Sequence, residues 1–212
     1  MNDHIVFLRE FLARFEETGS AVPSSRWAAQ ALTRPIKKLP HPKQILEVGP
    51  GTGVVTERAL RDMSEKDHFT ICEINPRFMQ ALKEKLADNP DYIRHKERVK
   101  FFEGPVQRLE ESIKFDVIIC AIPFTNLKVQ IVEEIFTKLS KLSHEKTLVT
   151  FFEYIGLRKL GRIASLKERR DRLTQIDDFF SELFSHYHRD VERVWLNLTP
   201  IKVYTLKSKI AA

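Results

Sequence analysis

The sequence predicts an α/β fold: a mostly parallel sheet of seven strands with helices on both faces, closed by a C-terminal antiparallel hairpin and preceded by an N-terminal helical extension. Three observations carry this. From residue 44 onward, short apolar runs alternate with segments whose apolar residues recur every three or four positions, as in strands joined by crossover helices. A glycine-rich turn stands directly between the first run and the first such segment. The last two runs are separated only by Thr199-Pro200-Ile201, a gap too short for a crossover helix, so they pair antiparallel.

The elements follow in order. Ile5, Leu8, Phe11, Leu12 and Phe15 form an apolar stripe at helical spacing, with Arg9, Glu10, Arg14 and Glu16 outside it. Such a stripe packs on its own domain or lies in a membrane interface, and packing is the commoner fate. Pro23-Ser24-Ser25 starts a second helix running to about Leu39, with Ser24 or Ser25 as its cap. Pro40 and Pro42 mark the entry to the sheet, dividing the chain into an extension over 1–42 and a main domain over 43–212. The parallel strands are read at 44–48, 69–74, 99–102, 115–122 and 147–152, and the helices between them at 52–63, 76–87 and 129–142. Asn75 and Asn126 are placed as helix starts. The closing strands are read at 191–198 and 202–206.

With 212 residues, 42% of them hydrophobic, the chain can bury one good core and not two. A formal charge of +6 suits a partner bearing phosphates, whether nucleic acid or an anionic membrane surface. The excess concentrates over 157–172, where Arg158, Lys159, Arg162, Lys167, Arg169, Arg170 and Arg172 face only Glu168 and Asp171. That stretch is a basic binding face or a solvated helix face, partly compensated by Asp177 and Asp178. Cys72 and Cys120 lie inside apolar runs without metal-ligand spacing, so reduced core cysteines, no metal and a cytoplasmic location are the expectations. No stretch approaches the roughly 20 apolar residues of a membrane span, and the N-terminus lacks the plan of a signal peptide.

In Glu47-Val48-Gly49-Pro50-Gly51-Thr52-Gly53 a strand runs directly into a helix, and Glu73 ends the next strand at the interval of a ribose contact. A dinucleotide site would place G-x-G-x-x-G so that pyrophosphate meets a helix N-terminus. This chain instead reads E-x-G-x-G-x-G, with a carboxylate two residues before the first glycine. The turn resembles motif I of class I S-adenosylmethionine-dependent methyltransferases. That resemblance implies a Rossmann-like sheet and S-adenosyl-L-methionine as cofactor, a ligand whose sulfonium and ammonium suit acidic residues at the strand end. It places Glu47 near the methionine portion and Glu73 on the ribose hydroxyls. Gly49, Gly51 and Gly53 form the cradle, with Ile74, Val106 and Ala121 completing the pocket. The family often carries an Asp after the third strand that meets the adenine amine; here Pro105 stands in its place, so backbone groups and Val106 are expected to hold adenine.

Ala121-Ile122-Pro123-Phe124 resembles the (N/D/S)-x-P-(Y/F) motif of methyltransferases that act on amino groups. The resemblance makes the Ile122 carbonyl and the Phe124 ring contacts of the target amine, while Ala121 supplies no side-chain acceptor. The alternative is a strand ending at a proline turn with Phe124 tucked into the core. The stretch from Phe11 to Leu32, Phe152-Glu153-Tyr154 and Trp195-Leu196-Asn197-Leu198-Thr199-Pro200 are similar to bacterial phospholipid N-methyltransferases, which methylate phosphatidylethanolamine. More distantly, the chain resembles the adenine dimethyltransferases of ribosomal RNA. The phospholipid resemblance implies a leader acting as lid, bringing Ser24 to the cofactor, and as an amphipathic membrane contact. The acceptor is then a lipid amine at the inner face of an anionic membrane, with Tyr154, Glu153, His186 or His188 assisting proton loss and Arg158 and Lys159 meeting lipid phosphate. The RNA enzymes usually append a helical domain after the sheet, whereas this sequence stops a few residues past its last strand, so nucleic acid is the less expected partner. Methylation of a soluble metabolite, and a non-catalytic module retaining the fold, are the other readings.

Overall fold

The computed structural model describes residues 24–40, 42–124, 127–155 and 167–208, the side chains of 167–170 and 208 excepted. The leader stripe over 5–15, Pro23, Asn126, and Arg158 with Lys159 lie outside the described residues. The first helix, α1 (Arg26–Lys38), is capped by Ser25, whose Oγ accepts the Ala28 amide at 3.2 Å. Its buried stripe runs through Ala28, Ala29, Leu32 and Ile36. The small alanines let the helix lie close to the sheet, where Thr150 Oγ1 donates to the Leu32 carbonyl at 2.9 Å.

The parallel strands are β1 (Gln44–Val48), β2 (His68–Glu73), β3 (Val99–Glu103), β4 (Phe115–Cys120) and β5 (Ser143–Tyr154). Helices α2 (Val54–Asp62), α3 (Pro76–Leu86), α4 (Pro90–His95), α5 (Val129–Lys141) and α6 (Lys167–His186) connect them or follow them. The hairpin β6 (Tyr187–Val194) and β7 (Ile201–Ser208) finishes the sheet. Among the described residues the strand order is β3-β2-β1-β4-β5-β7-β6, with β7 antiparallel to both of its neighbours.

Strand periodicity sends successive side chains to opposite faces. Ile45, Ile71, Val117 and Ile119 join Leu32, Val55, Leu60 and Leu82 in one core. Leu46, Ile118 and Phe151 join Ile131, Ile135, Leu139, Ile176 and Phe180 in the other. Both faces of the central strands are therefore buried, which is why they read as unbroken apolar runs rather than as alternation. None of the described helices is long and apolar enough to cross a membrane.

Some boundaries differ from the sequence reading. Helix α5 starts at Val129 with Lys128 at its N-cap position and no side-chain cap. Two helices were missed: α4, capped by Asn89 accepting the Asp91 and Tyr92 amides, and α6, whose basic start masked its apolar face. Strand β6 lies four residues earlier than the reading of 191–198. As the sheet's edge it carries charged residues that leave no apolar alternation to read. The ladder ends at the Val194–Ile201 pair, so Trp195 to Pro200 form a turn.

Candidate active site

Beta1 lies between β2 and β4, where the strand order reverses, and open parallel sheets form their ligand crevice beyond the carboxyl ends of such strands. Backbone bonds shape that crevice. The Gly49 amide donates to the Cys72 carbonyl at 2.9 Å, the Ala121 amide to the Val48 carbonyl at 2.9 Å, and the Gly104 amide to the Glu73 carbonyl at 2.8 Å. The ends of four strands are thereby tied together around one opening.

Two glycines of the turn serve different ends. Gly53 is the N-cap of α2 at φ +80°, and a Cβ there would stand 2.4 Å from Leu82 Cδ1, so its bareness lets α2 and α3 pack. Gly51 also has positive φ, +54°, yet a Cβ there would meet no atom of the described residues within 4 Å. Its missing side chain leaves open space at the mouth of the crevice, as a ligand approaching the backbone requires. Gly49 abuts Ile122, which closes the crevice from the end of β4.

Both predicted carboxylates are buried here. Glu47 accepts the Thr56 hydroxyl on Oε2 at 2.7 Å, and its Oε1 is buried without a hydrogen-bond partner among the described residues. Burial pushes its carboxyl up to about 8; the Thr56 bond opposes this and the charge of Glu73 adds to it. Such a group is poised to ionise when a cation arrives. Burial likewise raises Glu73, against the opposing effect of the Asn75, Gly51 and Ile74 amides. Its Oε1 accepts the Asn75 amide at 2.8 Å, which aims the carboxylate across the turn.

A pocket of about 280 Å³, open mouth included, brings Gly49, Glu73, Ile74, Val106 and Ile122 together. Glu47, Gly51 and Ala121, also singled out by the sequence, are not among its lining residues; each is a chain neighbour of one that is, or lies within the same glycine turn. Gln107, which the sequence did not single out, also lines it, and its Oε1 is buried without a partner among the described residues. An amide oxygen there can accept a hydrogen bond that Pro105 cannot. The sequence signal for it was slight, a polar residue two places after Pro105.

The remaining candidates are distributed along the same edge or removed from it. Ser24 is half-buried beside the α1 cap, held at this end because the Ser25 amide donates to Asn197 Oδ1 at 2.9 Å. Tyr154 ends β5 at the same edge, its ring edge-on to Phe152 at 5.3 Å and its hydroxyl raised above its usual range by burial. Glu153 is buried next to it. His186 and His188 stand at the opposite end of the sheet, where β6 begins against Ser208 and Lys207.

Phe124 requires a correction. Its ring is 2% exposed and enclosed by Phe136, Phe151 and Phe180 at centroid distances of 5.2, 6.0 and 5.9 Å, so it is core rather than an acceptor platform. Phe124→Leu is expected to lower stability by about 1–3 kcal/mol in urea unfolding. Methyl transfer per folded molecule should stay within about twofold of wild type, whereas a stacking role would show as a loss in kcat.

S-adenosylmethionine fits what is present: a cradle open at Gly51, a carboxylate oxygen of Glu47 without a partner among the described residues for a cationic group, a second buried carboxylate, Glu73, at the end of the neighbouring strand for the ribose, and an amide oxygen of Gln107 likewise without a partner. Comparison with known proteins agrees. Residues 45–145 match a family model described as a methyltransferase domain. No curated protein matches the chain in sequence. Among solved structures, an O-methyltransferase from Bacillus cereus in complex with SAH is similar at 15% identity and TM-score 0.66, over 94% of this chain and 90% of that one. A methyltransferase from Podospora anserina, also SAH-bound, is similar at 17% identity and TM-score 0.58, over 99% of this chain and 89% of that one. A precorrin-6y C5,15-methyltransferase from Geobacter metallireducens is similar at 11% identity and TM-score 0.59, over 89% and 91%. At these identities the structures share the fold. The family match covers the glycine turn and both carboxylates, so residues 45–145 form a methyltransferase domain, and its cofactor is S-adenosylmethionine.

Proposed function

We propose that the acceptor is the amine head group of a phospholipid such as phosphatidylethanolamine, methylated at the cytoplasmic face of a membrane. One observation carries this reading: the edge of the sheet that holds the cofactor crevice is rimmed by exposed apolar side chains at Trp195, Leu196 and Leu198. A soluble metabolite gives no reason for such a rim, and a nucleic-acid base would call for an exposed aromatic platform, which Phe124 is not.

Bound S-adenosylmethionine supplies a methyl group on a sulfonium, which an amine lone pair displaces in line, so positioning is the protein's main task. Glu47 and Glu73 hold the cationic and ribose parts, and Gln107 accepts a hydrogen bond from the adenine amine. The Ile122 carbonyl and Tyr154 orient the amine. Because burial raises the Tyr154 hydroxyl, it stays protonated at neutral pH and acts as a donor rather than a base. With both histidines at the far end of the sheet, the role of receiving the ammonium proton before attack falls in this reading to Glu153, next to Tyr154 at the end of β5.

The test offers labelled S-adenosylmethionine to the protein with anionic vesicles containing phosphatidylethanolamine, with structured RNA, and with a soluble metabolite extract, in parallel. Label is expected in the lipid phase. Unlabelled lipid beside labelled RNA or metabolite would remove the lipid reading.

A further inference from the structure

Trp195, Leu196 and Leu198 are 63%, 67% and 83% exposed, within four consecutive positions of one turn. Single exposed apolar residues need no explanation, but a contiguous group on a protruding turn marks a contact surface. The turn is also ordered. Asn197 Oδ1 accepts the Ser25 amide, Asn197 Nδ2 donates to the Thr199 carbonyl at 2.8 Å, and the Ile155 amide donates to the Pro200 carbonyl at 2.7 Å. These bonds hold the backbone from three sides, so the apolar side chains are presented outward rather than free to fold back.

Charge at the base of the turn indicates what it meets. Arg193 and Lys202 are direct partners in the ladder, and like charges in that position repel unless an anion lies between them. On its other side Lys202 stands opposite the buried Glu153 in the ladder, and Arg193 lies on the exposed edge strand. Neither basic residue forms an ion pair among the described residues. Arg26, its guanidinium over the Trp27 ring at 4.7 Å, adds a further cation one residue from the Ser25 anchor. Tryptophan and leucine at a tip, with arginine and lysine behind them, match the layering of a membrane interface, where apolar groups enter the acyl boundary and cations meet phosphates.

We propose that the turn between β6 and β7 is the membrane-docking element of this enzyme, inserting Trp195, Leu196 and Leu198 into an anionic bilayer while Arg193 and Lys202 bind lipid phosphate. The proposal deepens the lipid-amine reading and rests on it for the identity of the substrate. Its geometry suits that reading, since β7 starts opposite Tyr154 and lies two strands from β4, a spacing of about 10 Å. Docking by the turn therefore sets the crevice beside the head groups.

The chain has two tryptophans, so Trp27→Phe in the full chain leaves Trp195 as the sole reporter. On vesicles of phosphatidylglycerol and phosphatidylethanolamine, its emission is expected to shift to the blue and to be quenched by lipids brominated on the acyl chain. Leu196→Asp with Leu198→Asp should weaken vesicle binding at least about tenfold without changing the melting temperature, since both positions are exposed. Arg193→Glu should reduce the preference for anionic over zwitterionic vesicles. Methylation of a short-chain, water-soluble phosphatidylethanolamine should survive the paired leucine changes. Emission indifferent to vesicles would overturn the proposal, whether because a second copy or residues 1–23 cover the turn or because another surface docks; so would unchanged binding by the double variant. Vesicle binding by the turn with no lipid methylated would retain the docking surface and remove the lipid-amine reading. Undiminished vesicle methylation by the double variant would do the reverse.

Discussion

Replacing Glu47 with glutamine is expected to stabilise the cofactor-free protein while weakening cofactor binding roughly 10- to 100-fold, the loss that follows removal of a buried charged hydrogen-bond partner. The two effects share one cause. The folded protein holds this carboxyl at about 8, above its ordinary 4.5, so the fold binds the proton more tightly than the unfolded chain does. Its contribution to stability is therefore greatest at low pH and falls as pH rises from about 4.5 to about 8. Glutamine carries no charge at any pH and removes that slope. A rise in Tm of about 5 °C at pH 8, shrinking toward pH 5, is expected by scanning calorimetry of the cofactor-free protein. A bound cation favours the ionised form, so wild-type affinity should increase with pH between 6 and 8, approaching about tenfold per unit as one proton is released. The variant should show no such dependence. Equal pH slopes in titration calorimetry would mean that Glu47 does not meet the cationic part of the ligand.

Gly51→Val should abolish measurable cofactor binding, a loss of more than about 100-fold, in a protein that still folds. The new side chain enters space that no atom of the described residues occupies, so it displaces ligand rather than core. Holding valine at φ +54° adds backbone strain of about 1–2 kcal/mol, visible in urea unfolding. Gly53→Val is the control, because its side chain would drive into Leu82 and destabilise the packing of α2 on α3. A folded Gly51→Val variant with normal affinity would show that the ligand approaches elsewhere.

How much of this was legible in the sequence depended on burial. Beta1 was read at its observed bounds because four of its five residues are buried and nothing polar but Glu47 interrupts them. The glycine turn, Glu47 and Glu73 were legible because phi angles and charge at strand ends constrain residue type. Beta6 was misplaced because an edge strand faces solvent, and the apolar residues that drew the reading toward 198 belong to a turn whose exposure the sequence does not show. Phe124 was ambiguous for a related reason: a core ring and an acceptor platform after the same proline are spelled alike, and only the surrounding phenylalanines separate them. Gln107 went unread because its significance is an unpartnered buried oxygen, a property of packing rather than of spacing.

The most direct test of the site is a crystal structure of the protein with S-adenosylhomocysteine. The expected complex has the ribose hydroxyls on Glu73, the amino group of the homocysteine within hydrogen-bond distance of Glu47 Oε1, the adenine amine on Gln107 Oε1, and the backbone of Gly51 against the ligand. A ligand bound away from Glu47 and Glu73, with the crevice between β1 and β4 left empty, would contradict the account.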